Sequence, residues 1–233
     1  MIGQAQALSA LGTVYDPELD EPITDLGFVG SCVVTPSGDV DVRLRLPTPQ
    51  CAPNFAFLMA ADARSAVRRL PGVREVSVVL EDHYTGEEIN AAVGRGACFA
   101  DAFPGETENS LDALRELFQR KALVARQARV CQALLRSGLD HAEVVALRVA
   151  DLPGGIDAER CVQLRRELGL PHGADAPALV AGDGTAIPTD DLDRWLRRAR
   201  LVSLSLESNG GICRSLLEVR YGVPDPTHEE VAA

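Results

Sequence analysis

The sequence predicts an α+β fold, with a small mixed three-stranded sheet and helices in its N-terminal part and a mainly helical domain after it. Two observations predict this class: apolar residues alternate with period two in stretches before residue 81, and helical periodicity dominates after residue 108. With 233 residues and 46% apolar content, the chain can form one large or two small domains. We predict an α/β domain over 1–93, a connector over 94–107, a mainly helical domain with a short hairpin over 108–222, and a flexible tail over 223–233.

The first predicted elements are a helix, a loop and a hairpin. Residues 2–13 have the pattern of a short helix, and the acidic stretch YDPELDEPITDLGFV is expected to be an ordered loop with little regular structure. SCVVT and VDVRLRL then flank the turn residues 36–39, and from Val40 to Leu46 apolar and polar residues alternate. This alternation predicts a β-hairpin with one buried face.

A helix and a third strand follow the hairpin. Pro53 stands where the first turn of a helix tolerates a missing N–H, and apolar residues continue at helical spacing up to Pro71 and Gly72. The run VREVSVVL then predicts a strand. A strand-helix-strand connection within one sheet makes a right-handed crossover between parallel strands. We therefore expect the second and third strands to finish at the same edge.

The C-terminal half is predicted to be mainly helical. After the connector GRGACFADAFPGETE, one apolar stripe runs from Leu111 to Leu135 and indicates a long helix that ends at Gly138. The pair Asp183 and Gly184 predicts a short hairpin within PALVAGDGTAIP. Further helices are predicted over 140–149, 157–169, 189–201 and 203–221.

Composition restricts the partners and the compartment. A formal net charge of -11 disfavours nonspecific binding to nucleic acid or to an anionic membrane, so we expect neither as a partner. The sequence has no run of 18 apolar residues and no secretory signal pattern at its start, so we expect a cytoplasmic protein. Six scattered cysteines without a CxxC pair indicate neither a disulfide framework nor a closed zinc site. Three of them are assigned to the core: Cys32, Cys131 and Cys161.

Cys51 is the most informative cysteine. It follows the second strand and directly precedes the helix that starts near Pro53, where the helix dipole and unpaired N–H groups favour a thiolate. His83 follows the third strand, so an imidazole is expected at the same edge of the sheet. A plainer interpretation of Cys51 is that it fills space beneath the loop. His83 could equally be an ordinary hydrogen-bonded histidine, and the acidic residues of 16–21 a solvated loop.

Several motifs in order resemble a known family. They are Asp16-Pro17-Glu18, Asp25-Leu26-Gly27-Phe28-Val29, Pro47-Thr48 followed by Cys51, and Leu70-Pro71-Gly72-Val73. Over about residues 6–93 the chain resembles the small iron-sulfur assembly domain found in PaaD, in bacterial SufT and in eukaryotic cytosolic iron-sulfur targeting factors. The resemblance implies that Cys51 is the ligand or transfer thiol. The candidate cofactor-binding residues around it are Asp16, Glu18, Thr48 and Asn54.

The longer chain also resembles assembly-domain proteins that accompany soluble diiron monooxygenases, which implies a diiron hydroxylase as client. One thiolate with an imidazole or carboxylate can hold Fe(II) in an open site, whereas a cluster needs about four ligands. The candidate metal ligands are Cys51 and His83, followed by Asp82, Glu87 and Cys213. A second subunit or Cys213 could supply a further thiolate. Gly210 and Gly211 are expected to place Cys213 near a helix start, unless it is simply a buried helical thiol.

Three hypotheses for function follow. In the first, the protein is an accessory protein rather than an enzyme. It binds iron or an iron-sulfur cluster transiently through Cys51 and delivers this cargo to a client metalloenzyme subunit. An alternative within this hypothesis is that no cofactor is bound stably. A symmetric homodimer would bring two Cys51 thiols together. In the second, a metal-free adaptor binds a monooxygenase subunit through its acidic loop. In the third, His83 activates Cys51 as the nucleophile of a thiol enzyme.

Overall fold

A computed structural model describes residues 2–105 and 110–222. It divides the chain into two compact units, of which the first comprises Met1–Ala113 together with the chain from Ser208 onward, and the second comprises Leu114–Glu207. Strands and helices combine in an α+β fold, as predicted. The expected flexible tail over 223–233 and part of the expected connector lie outside the described residues.

The first unit contains all five strands of the described chain. Its N-terminal elements are α1 (Gln4–Leu11), β1 (Tyr15–Asp16), β2 (Glu21–Pro22), β3 (Val29–Val34), β4 (Asp39–Leu44), α2 (Pro53–Arg68), β5 (Glu75–Leu80), α3 (Gly86–Arg95) and α4 (Phe99–Ala102). The main sheet has the order β3-β4-β5, with an antiparallel β3/β4 pair and a parallel β4/β5 pair. The acidic loop is more regular than expected, because β1 and β2 form a two-residue antiparallel ladder.

The central strand β4 shows why the sheet has one buried face. Val40, Val42 and Leu44 are almost completely buried, while the alternating residues Asp41 and Arg43 remain partly exposed. The β4/β5 register runs without interruption to the pair Leu44↔Leu80. The two parallel strands therefore end together, as predicted, and the segments that follow them emerge at one edge of the sheet.

The helix α2 makes the crossover between β4 and β5. Pro53 occupies its first turn, where the missing N–H costs no intrahelical hydrogen bond. Its buried face includes Phe57, Met59 and Val67, and the helix packs against β5. Burial of this apolar face fixes the helix on the sheet and with it the turn that precedes Pro53.

Gly38 in the β3–β4 turn is required by both its conformation and its surroundings. Its φ is +89°, and a Cβ at this position would overlap the backbone oxygen of Gly72. Gly38→Ala is therefore expected to lower the free energy of unfolding of the first unit by about 2 kcal/mol or more. The change is measured by urea unfolding followed by near-UV circular dichroism of the tyrosines. All three tyrosines, Tyr15, Tyr84 and Tyr221, belong to this unit.

The matched control for Gly38→Ala is Gly72→Ala. Gly72 has a similar φ of +87°, but a Cβ there would meet its nearest atom, the Ile2 nitrogen, at an ordinary 3.6 Å. This control carries the left-handed backbone cost alone, about 1 kcal/mol. Equal losses for the two variants would show that the overlap with the Gly72 carbonyl is relieved without cost.

The second unit is built mainly from helices. They are α5 (Asp112–Arg136), α6 (His141–Ala146), α7 (Ile156–Glu167) and the N-terminal part of α8 (Leu192–Tyr221). One apolar cluster joins Cys131 and Leu134 of α5 to Val144, Ala158 and Leu192. The predicted hairpin is confirmed as a tight turn around 183–184, closed by a single bridge between Val180 and Ala186.

The prediction of two separate C-terminal helices was wrong. The stretches 189–201 and 203–221 form a short 3-10 turn at Thr189–Asp191 and then one continuous helix, α8, of 30 residues. The single residue between the predicted helices is Val202, which does not break a helix, so nothing in the sequence ends the helix there. Among the described residues, no helix has the length and apolar content needed to cross a membrane.

The assignment of three cysteines to the core is confirmed. Cys32, Cys131 and Cys161 are 4%, 0% and 2% exposed. Burial raises the pKa of Cys131 to about 11 and that of Cys161 to about 12. These thiols stay protonated at neutral pH and act as small apolar side chains.

Candidate functional site

Cys51 lies in the turn between β4 and α2, two residues before the first residue of the helix. Its backbone N–H donates to the carbonyl oxygen of Thr48 at 3.4 Å, and its Sγ lies 3.5 Å from the Thr48 hydroxyl. The side chain is partly exposed. Cys51 is therefore a thiol held by a hydroxyl neighbour but still open to solvent, at the edge where the parallel strands end.

His83 supports this turn through the backbone. Its Nε2 lies 2.7 Å from the carbonyl oxygen of Cys51, and its Nδ1 accepts from the Thr85 amide at 3.3 Å and lies 3.1 Å from the Thr85 hydroxyl. Because the Thr85 amide donates to Nδ1, the ring proton is assigned to Nε2, which donates to the carbonyl oxygen of Cys51. The Tyr84 amide also donates to Pro49 at 3.1 Å. The structure thus brings His83 to the cysteine turn, with its ring nitrogens engaged by the Cys51 carbonyl and by Thr85.

Asp16 is a buried carboxylate in the acidic loop. It is 7% exposed, and its Oδ1 accepts from the amides of Glu18 and Leu19 at 2.8 and 2.9 Å. Burial raises the pKa of Asp16 to about 6 in spite of these hydrogen bonds, which act in the opposite direction. The nearby charges of Glu18 and Glu21 raise it further. This carboxyl therefore titrates close to neutral pH.

The C-terminal part of α8, which belongs to the first unit, packs on the acidic loop. The Asn209 amide donates to Glu18 Oε1 at 3.3 Å, and Arg214 Nη1 donates to Glu21 Oε2 at 2.5 Å. A Cβ on Gly210 would approach Glu21 Oε1 to 3.1 Å, so this glycine permits the close contact of helix and loop. Sequence reasoning missed Asn209 and Arg214, because their partners lie more than 190 positions away along the chain.

Cys213 lies on the same face of α8. The expectation that Gly210 and Gly211 put it near a helix start was wrong, because both glycines lie in the interior of α8. Burial raises the pKa of the Cys213 thiol to about 12. The negative charges of Asp16, then Cys51 and then Glu18, add to the rise. Cys213 therefore lies on the helix segment that packs on the acidic loop, although it is far from that loop in sequence.

The remaining candidates have other positions. Asn54 lies in the first turn of α2, where its Oδ1 accepts from the Phe55 amide at 2.9 Å. The Asp82 carboxylate lies 3.6 Å from Arg220 Nη2. Glu87 is exposed in the first turn of α3. Asp82, His83 and Glu87 line a shallow surface cleft of about 480 Å³.

Arg220 links α8 to the edge of the sheet. Its Nη1 donates to the carbonyl oxygen of Leu46 and its Nη2 to that of Asp82, each at 3.1 Å. Asp82 has a φ of 50°, which turns the chain sharply after β5. Sequence reasoning did not identify Arg220, although its position seven residues after Cys213 places it on the same helical face.

The site does not form a complete metal centre. Within residues 2–105 and 110–222, no three histidine, cysteine, aspartate or glutamate side chains are grouped so that they could hold a metal ion. The described side chains therefore do not by themselves complete a set of three or more such ligands around Cys51.

The fold and the cysteine turn define a small α+β domain with one open thiol at the carboxyl edge of its sheet. A family model described as "Iron-sulfur cluster assembly protein" matches residues 4–78, which include Cys51. Uncharacterized protein MJ1129 of Methanocaldococcus jannaschii is 36% identical over 90 residues, which are 39% of this chain and 93% of that protein. The chain belongs to the iron-sulfur cluster assembly protein family.

Two further relatives carry functional names. An iron-sulfur cluster carrier protein of Deinococcus radiodurans is 40% identical over 72 residues, which are 30% of this chain and 19% of the carrier. An Fe-S protein maturation auxiliary factor of Porphyromonas gingivalis is 37% identical over 70 residues, 30% of this chain and 65% of that protein. The chain therefore shares one domain with these relatives, and the helical unit lies outside the segment that the family model matches.

Proposed function

We propose that this protein is a maturation factor that binds iron or an iron-sulfur cluster transiently through Cys51 and delivers it to a client metalloenzyme. The observation that carries the proposal is the Cys51 turn: a partly exposed thiol held from both strand ends, within the segment that matches the family. The names of the carrier and maturation relatives support the same role.

The geometry suits transfer better than storage. A cluster needs about four ligands, and one thiolate leaves most of them to be supplied by the client or by small thiols. We assign His83 to positioning, because its ring nitrogens contact the Cys51 carbonyl and Thr85. The hydrogen bond to the carbonyl stabilises the turn and engages the imidazole with the backbone, while the Cys51 thiol lies 3.5 Å from the Thr48 hydroxyl.

The same contacts make a thiol enzyme a weaker proposal. A base that activates a nucleophile must lie within hydrogen-bonding reach of it. The Nε2 of His83 instead donates to the backbone oxygen of Cys51. We therefore propose an accessory protein without turnover of its own.

The client and the oligomeric state are narrower proposals. The resemblance of the longer chain to assembly proteins of soluble diiron monooxygenases supports a carboxylate-bridged diiron hydroxylase as the client. A homodimer would supply a second Cys51 thiolate to one cargo. Both are checked by mixing the purified protein with an apo-hydroxylase and measuring the mass of the complexes by light scattering.

The main experiment compares three proteins under anaerobic conditions: the wild type, Cys51→Ser and Cys98→Ser. Cys98 is a matched control, because it is an exposed cysteine of the same unit whose thiol donates to Asp101. Each protein is titrated with ferrous iron, with and without sulfide, and followed by visible absorption and Mössbauer spectroscopy. Apo-client is then added and its activity measured.

We expect Cys51→Ser to lose the bound species and the activation of the client, and Cys98→Ser to keep both. Equal binding and equal activation by wild type and Cys51→Ser would contradict the proposal. Activation of the client by Cys51→Ser, with no iron bound by any of the three proteins, would instead support the metal-free adaptor.

A further inference from the structure

The face of α8 that packs on the first unit is defined by a continuous set of contacts. Asn209 and Arg214 contact the acidic loop, while Arg220 contacts the backbone oxygens of Leu46 and Asp82. Leu217, between them, is 1% exposed. Residues on the opposite face of the same helix segment are exposed, for example Ile212 at 59% and Val219 at 86%. The orientation of this segment is therefore fixed from both ends.

Cys213 lies in the middle of the packed face. It is one helical turn after Asn209 and about two turns before Arg220, so its side chain points to the same side as theirs. That side faces the acidic loop at one end and, at the other, the residues just after β4, where Leu46 precedes Cys51 by five positions. The helix thus carries a second cysteine between its contacts to the acidic loop and its contact to the segment that follows β4.

The surroundings of Cys213 are unusual for a thiol that only fills space. The groups whose negative charge acts on it are Asp16, Cys51 and Glu18. Negative charge around a partly buried thiol opposes its ionisation in the metal-free protein and favours a cation bound to it. Thiolate ligands select soft or borderline metals such as iron and zinc rather than magnesium or calcium.

We infer that Cys213 is a second thiolate ligand supplied by the same chain, so that Cys51 and Cys213 together hold one thiophilic metal ion of the iron cargo. This inference deepens the proposed maturation function and rests on it. On binding, each thiol releases its proton to solvent and forms one sulfur-metal bond, while the remaining ligands come from water, small thiols or the client. Two thiolates from one chain hold the cargo more firmly than Cys51 alone, yet leave half of a tetrahedral site open.

The test uses Co²⁺ alone as the probe, with the full-length reduced protein under anaerobic conditions. Thiolate-to-cobalt charge-transfer absorption reports how many thiolates bind the metal. We expect a band in the wild type, roughly half its intensity in Cys213→Ser and in Cys51→Ser, and none in the double variant. Cys98→Ser, which removes an exposed cysteine of the same unit, should keep the full band. Circular dichroism and a second variant, Cys213→Ala, show whether the fold is retained.

Mixing Cys51→Ser with Cys213→Ser decides whether the two thiolates come from one chain. Co²⁺ is added in amounts well below the protein, and the band is divided by the Co²⁺ bound. If both thiolates come from one chain, the band per bound Co²⁺ in the mixture stays at roughly half the wild-type value. A wild-type value per bound Co²⁺ would show that the thiolates come from two copies and would overturn the inference. So would a full band in Cys213→Ser, or no band in the wild type. In these cases the proposed function still stands if iron binding and client activation depend on Cys51, and it fails only if Cys51→Ser behaves like the wild type in both.

Discussion

Replacing Asp16 by asparagine is expected to flatten the pH dependence of stability of the first unit. The pKa of Asp16 rises from 3.8 to about 6 on folding, chiefly because the side chain is buried. The folded state therefore holds this proton more tightly than the unfolded state, and the stability it contributes is complete below pH 3.8 and lost as pH rises through about 6. At about 1.4 kcal/mol per pKa unit, the loss is about 3 kcal/mol.

Asparagine keeps an oxygen that can accept from the Glu18 and Leu19 amides, but it carries no charge. The free energy of unfolding of Asp16→Asn minus that of the wild type should therefore rise by about 3 kcal/mol between about pH 3.5 and pH 7.5. Urea unfolding followed by tyrosine circular dichroism measures it at each pH. The control variant is Asp25→Asn. Asp25 is an exposed carboxylate of the same loop, so this variant reports the effect of removing a charge alone. A constant difference between Asp16→Asn and the wild type would rule out the coupling of Asp16 to folding.

Arg165→Ala is expected to destabilise the second unit by about 4 kcal/mol. Arg165 is 1% exposed and donates to Gln127 Oε1 at 2.6 Å, to the Pro177 carbonyl at 2.7 Å and to the Ala178 carbonyl. Removing its side chain leaves a cavity. It also takes the guanidinium donor away from the carbonyl oxygens of Pro177 and Ala178, which stay in place. Both effects act in the same direction.

Tryptophan fluorescence measures this change, since the single tryptophan, Trp195, packs on the apolar cluster of the second unit. Arg166→Ala is the matched control: its side chain is exposed on the same helix, and its effect should stay within about 0.5 kcal/mol. A loss of less than about 1 kcal/mol for Arg165→Ala would mean that the relief from burying a guanidinium compensates for the lost hydrogen bonds.

The parts of the fold that sequence reasoning predicted correctly are those with short-range signals. The alternation over 40–46 and the proline at the start of α2 are properties of neighbouring residues, and the parallel β4/β5 pair follows from the handedness of the crossover. The same reasoning placed Cys51 and His83 at one edge. It could not predict that His83 would contact the Cys51 carbonyl, because that depends on the exact path of both loops.

The parts that were missed depend on contacts between distant positions. Nothing near Asn209 or Arg214 indicates that their partners are Glu18 and Glu21, and the paired glycines were interpreted as a helix start rather than as a close contact within a helix. Arg165 and Gln127 look like ordinary surface residues in the sequence, yet both are buried. A buried polar network leaves no periodic signal in the sequence, because its residues pair with one another and do not repeat along one face of a helix or strand.

The first unit is built from two separate segments of the chain, which are synthesised at different times. The residues up to Ala113 leave the ribosome before the helical unit, whereas the segment from Ser208 that carries Cys213 emerges only after it. A nascent chain can therefore fold its sheet and expose Cys51 well before the second thiol arrives. If Cys51 and Cys213 hold the iron together as inferred, only chains whose translation has passed α8 can bind it with both thiolates.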